Sequence, residues 1–83
     1  MEYTIVPSEY KDFNDTEIGE WADCLFEDNE TGEQFFVELR KTDETLEQFI
    51  DRCMKVAKDN FDDVEFIEFY TARDAEMMGY DTY

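Results

Sequence analysis

The chain has 83 residues, of which 24 are acidic and 7 basic, with no histidine; its formal net charge is -17. With 42% apolar residues and 14 aromatics (8 Phe, 5 Tyr, 1 Trp) it carries too much apolar surface for a disordered acidic tail, so a single folded domain over 1–83 is expected. The charge sign excludes direct binding to nucleic acid, and the lack of histidine excludes Cys-His and Ser-His nucleophile pairs.

In chain order, Tyr3 to Val6 reads as a first strand cut off by Pro7, the one proline, which lacks a backbone donor. Residues 8 to 19 read as a polar excursion closed by Gly19. From Trp21 to Arg40 the pattern is that of a hairpin. Ala22, Cys24 and Phe26 alternate on one strand, Phe35, Val37 and Leu39 on the other, and Asp28 to Gly32 supply the turn. Ile18, Trp21, Ala22 and Leu25 also fit helical spacing, so whether 15–25 is helix or strand stays open on sequence.

Thr45 to Asn60 is the clearest element. Leu46, Phe49, Ile50, Cys53, Met54, Ala57 and Phe61 recur at helical spacing, and Thr45 with Gln48 makes a capping box. Val64 to Tyr70 reads as an aromatic strand in a mixed sheet, and Thr71 caps a short helix, Ala72 to Met78, ended by Gly79. The expected order is β-β-β-α-β-α: an α+β domain with a small mixed or antiparallel sheet of 3–4 strands packed against one long helix.

Chemical signatures are lacking. There is no CxxC, no P-loop and no dinucleotide fingerprint, and Gly19, Gly32 and Gly79 stand far apart. Asp28, Glu30 and Gly32 superficially follow a calcium loop, but Glu33 stands where glycine belongs and Leu39 where a bidentate glutamate belongs. The reading is therefore a non-enzymatic protein with no catalytic residues, no cofactor and no metal site. Without a long apolar run or a secretion signal, a cytoplasmic location and no membrane partner are expected, with Cys24 and Cys53 as free, packed thiols.

The charge is unevenly distributed. Residues 12 to 38 contain ten acids and no base, whereas five of the seven bases lie between 40 and 58. The long helix can balance itself through pairs such as Asp51 and Lys55. An anionic surface is thus expected on the hairpin side. Its candidate partner-binding residues are Asp15, Glu17, Glu20, Asp23, Glu27, Asp28, Glu30 and Glu33, with Tyr10, Trp21, Tyr80 and Tyr83 as aromatic anchors at its rim. A solubilising role is the blander reading of any one of these carboxylates. Same-face acids two apart on a strand stand about 6.6 Å apart, while DNA carries one charge per roughly 3.4 Å per strand, so staggered rows of acids approach the charge density of nucleic acid.

In size, charge, acidic hairpin and hairpin-then-helix order, the chain resembles the small acidic proteins of phages and mobile elements that imitate nucleic acid, among them anti-restriction and anti-CRISPR inhibitors. The resemblance implies a phage-type inhibitor working in a host bacterial cell, where it fills the basic groove of a defence nuclease. It includes no diagnostic motif and transfers no residue role. The alternative is a small interaction or regulatory module for a basic protein partner. Either would be a monomer, or a homodimer through an exposed edge such as Tyr3 to Val6.

Overall fold

The computed structural model describes residues 5–79 and Thr82. Six elements follow one another: α1 (Pro7–Asp15), β1 (Trp21–Asp28), β2 (Gln34–Arg40), α2 (Leu46–Asn60), β3 (Val64–Thr71) and α3 (Ala72–Met78). The three strands form one sheet in the order β2-β1-β3, with both neighbouring pairs antiparallel. The domain is therefore α+β as expected, but with three strands and three helices.

The expected first strand is corrected. Tyr3 and Thr4 lie outside the described residues, and Ile5 and Val6 belong to no strand. Pro7 starts α1 instead of merely ending a strand, because its fixed φ suits the first helical position and the N–H it lacks would have no partner there. The polar excursion expected over 8–19 is thus mostly helix. Its buried face consists of Phe13 and a carboxylate, Glu9. Glu9 accepts a hydrogen bond from Val6 N–H at 3.2 Å and one from Phe69 N–H on β3 at 3.0 Å. Burial pushes its pKa up, and the two backbone donors pull against that shift.

The expected hairpin is present, with Cys24 opposite Val37 and Phe26 opposite Phe35; the helical alternative is not adopted from Trp21 onward. Gly32 takes φ 75° at the tip, a conformation that costs a side-chain-bearing residue. β3 pairs with β1, not with β2. The crossover through α2 skips the central strand, so β2 and β3 run in the same direction without pairing, and the mixed sheet expected from that crossover becomes purely antiparallel between named strands. Opposite the break between Leu25 and Phe26 the β1–β3 register shifts, and Ile67 is left without a partner on β1.

Period-two alternation sends the strand side chains to two faces. Ala22, Cys24, Phe26, Phe35, Val37 and Phe69 pack on one face against Phe49, Ile50, Cys53 and Ala57 of α2, joined by Phe13 of α1. The long helix is therefore not the sole cover of the sheet. On the opposite face Leu25 and Phe36 pack with Ala75 of α3, and Tyr70 lies against them. Both cysteines are free and buried, and burial first, with the Cys53 thiol second, pushes the Cys24 thiol well up.

The two helix caps read from sequence are present. Thr45 Oγ accepts from Gln48 N–H at 3.2 Å while Gln48 Oε1 accepts from Thr45 N–H at 3.0 Å; Thr71 Oγ accepts from Asp74 N–H at 3.3 Å. No helix among the described residues is long and apolar enough to cross a membrane.

Candidate anionic binding surface

The eight candidate carboxylates do not form one patch. Asp15, Glu17 and Glu20 are exposed around the turn that leads from α1 into β1. Glu30 and Glu33 are exposed at the hairpin tip, at the other end of β1. An eight-residue strand separates the two groups by about 25 Å.

Two of the eight are withdrawn from the accessible surface. Asp28 is buried and holds the turn together: its oxygens accept from Glu30 N–H at 3.0 Å and from Thr31 Oγ at 3.2 Å. This is the local stapling that an aspartate supplies to a tight turn. Asp23 is buried for a different reason, because it points to the sheet face that α3 covers. Glu27 is half-buried and accepts from Gln34 Nε2 at 3.4 Å.

Tertiary structure adds carboxylates to the group at the hairpin tip. Asn29 at the hairpin tip donates its backbone N–H to Asp63 O at 2.9 Å and its side chain to Asp63 Oδ1 at 3.2 Å, which brings the loop before β3 against the tip. Glu27 stands directly opposite Glu65 on β3. The tip thus gathers Glu27, Glu30, Glu33, Asp63 and Glu65 from segments at least 30 residues apart. Like charges paired across strands cost stability.

Basic side chains do little to neutralise these groups, because several are turned to backbone oxygens. Lys41 Nζ donates to Phe13 O at 2.7 Å and Thr16 O at 2.6 Å and lies over the Phe13 ring. Arg40 donates to Gly19 O at 3.0 Å and stacks at 4.6 Å on Trp21. Arg52 joins Glu44, at 2.6 Å, to Arg40 O, at 2.8 Å. Lys41 and Arg52 therefore tie α1 and α2 to the end of β2. None of the eight candidate carboxylates forms an ion pair among the described residues.

Trp21 is 46% exposed and borders two clefts. One, of about 510 Å³, is lined by Asp12, Asp15, Glu20 and Arg73; the other, of about 390 Å³, by Asp23, Glu38 and Glu76. Of the other aromatic anchors, Tyr10 is exposed and donates its hydroxyl to Glu47 at 2.6 Å, while Tyr80 and Tyr83 lie outside the described residues. Glu38 and Glu76 were not among the candidate residues. Strand alternation could have placed Glu38 beside Asp23, but only the packing of α3 brings Glu76 to them. Among the described residues no group of three potential ligands is arranged to hold a metal ion.

What fold and surface define together is an acidic α+β domain with an exposed tryptophan between two carboxylate-lined clefts. No family model matches the chain, and neither the curated proteins nor the solved structures yield a match.

Proposed function

We propose that the protein is a non-enzymatic inhibitor that occupies a basic, nucleic-acid-binding groove of another protein, with a host defence nuclease as the target class, and offers carboxylates where nucleic acid offers phosphates. The observation that carries this reading is the commitment of Arg40 and Lys41 to backbone oxygens and of Arg52 to Glu44 and Arg40 O, which leaves the exposed acids at both ends of β1 without an ion pair among the described residues, Arg73 sharing a cleft with Asp15 and Glu20. A basic groove that closes on such a surface releases counterions as it would on binding DNA, so association is fast and salt-sensitive.

The exposed Trp21 and Ile18 favour a second reading, an interaction module whose basic partner is held chiefly by apolar contact. Salt separates the two. Binding by charge imitation weakens steeply between 50 and 300 mM salt and is competed by duplex DNA, whereas apolar docking survives both. The test is a pull-down from bacterial lysate at the two salt concentrations, followed by competition of the captured protein with DNA. The double variants Glu30→Gln/Glu33→Gln and Glu17→Gln/Glu20→Gln should each weaken capture severalfold and lower its salt dependence. Capture indifferent to salt, to DNA and to both variants overturns the charge-imitation reading.

A further inference from the structure

Asp23 is 1% exposed, and neither of its carboxylate oxygens meets a hydrogen-bond donor among the described residues. Buried side-chain oxygens almost always have a partner, since an unpartnered one forfeits its hydration without return. Glu9 and Asp28, the other buried carboxylates among the described residues, follow that rule, Glu9 with two backbone donors and Asp28 with donors from Glu30 and Thr31. Asp23 breaks it while facing a cleft of about 390 Å³.

The surroundings of Asp23 deepen the anomaly. Glu38 stands directly opposite on β2, Tyr70 on β3, and Glu76 lines the same cleft from α3. The base on that face of β2, Arg40, is engaged by Gly19 O and the Trp21 ring. Three carboxylates therefore share a cleft with no cation among the described residues that line it, and the exposed side chains of Trp21 and Glu76 stand at its mouth. Among the described residues the arrangement does not supply the ligand set of a metal ion.

We infer that this cleft is a receptor for one lysine or arginine side chain of the protein's basic partner, whose cationic head reaches Asp23 and Glu38 while Glu76 and the Trp21 indole close around its stem. The inference rests on the reading that the partner is basic, and it assigns to the protein a specific anchoring point in addition to its diffuse charge. An ammonium or guanidinium head supplies the donors that Asp23 lacks, and its alkyl stem suits the apolar wall formed by Ala72 and Ala75. Charge complementarity identifies the occupant, because a neutral donor would leave Glu38 and Glu76 uncompensated beside Asp23.

The pocket can be tested without the partner. Nα-acetyl-lysinamide and Nα-acetyl-argininamide are titrated into the isolated protein at constant ionic strength, with NaCl as the control, while NMR follows the Trp21 indole N–H and the Asp23 side-chain carboxyl carbon. Saturable shifts at both positions in the millimolar range are expected for at least one probe. They should weaken at least tenfold in Asp23→Asn and severalfold in Glu76→Gln, whose exposed position poses no threat to folding, and should be unchanged in Glu30→Gln/Glu33→Gln. Shifts that are linear, reproduced by NaCl or insensitive to Asp23→Asn and Glu76→Gln overturn the pocket. That result leaves the charge-imitation reading standing on its own competition test, and failed competition with DNA leaves the pocket standing.

Discussion

Asp23 and Glu38 face each other across the β1–β2 ladder, and the aspartate of this like-charged pair is the more deeply buried. Burial first and the Glu38 carboxylate second push the Asp23 carboxyl up from 3.8 to about 7.

That shift carries a stability prediction. Below about pH 4 both folded and unfolded chains hold the Asp23 proton, and above about pH 7 neither does. Between these limits the unfolded chain is ionised while the fold retains the proton, so stability falls as pH rises, by at most about 1.4 kcal/mol per pH unit. Asp23→Asn removes this contribution while Glu38, Tyr70 and Glu76 stay in place around the site. Urea denaturation should give a variant that gains on the parent from pH 5 to pH 8. An equal gap at both pH values would refute the assignment.

Glu44 predicts the opposite slope. Its own burial raises its pKa, but hydrogen bonds from Arg52 and Thr42 outweigh burial and hold the carboxyl below its usual range. The stability it adds is present above its unfolded pKa and is lost as pH falls through the folded one. Glu44→Gln should cost about 1 kcal/mol at pH 7, since Arg52 is partly exposed, and nearly nothing at pH 3. Denaturation at the two pH values measures it.

Glu9 ties α1 to β3 across 60 residues of sequence. Glu9→Ala leaves the Phe69 amide buried without an acceptor and should cost about 1–3 kcal/mol. Hydrogen exchange checks the mechanism: protection of the Phe69 amide should drop further than that of amides in the β1–β2 ladder.

The acids of the hairpin tip divide by role. Asp28→Ala removes two turn hydrogen bonds and should destabilise the domain by about 1–2 kcal/mol, whereas Glu30→Gln and Glu33→Gln should leave stability within about 0.5 kcal/mol. Gly32→Ala, forced to hold φ 75°, should cost about 1 kcal/mol. Thermal melts of the four variants distinguish turn chemistry from surface charge.

Elements whose signals are local could be read in the sequence. The capping box of Thr45 and Gln48 and the helical spacing from Leu46 onward give α2; the Thr71 cap and Gly79, at φ 73°, bound α3; alternation around the Asp28–Gly32 turn gives the hairpin. Each depends on hydrogen bonds and periodicities spanning a few residues, which the chain carries wherever it sits.

Helix α1 escaped for the converse reason. Its buried face is one phenylalanine and one glutamate, and a glutamate becomes a core residue only when a donor such as the Phe69 amide arrives from the far end of the chain. The acids behaved likewise. Composition and order determined that this protein is a folded, strongly anionic body, but which carboxylates remain in water was decided by the tertiary structure: Asp23 lost its solvent when α3 folded onto the second face of the sheet, and Glu27 gained Glu65 when β3 joined β1. Charge belongs to a residue type, whereas its exposure and its neighbours belong to the fold, because desolvation and Coulomb energy depend on distances that sequence separation does not encode.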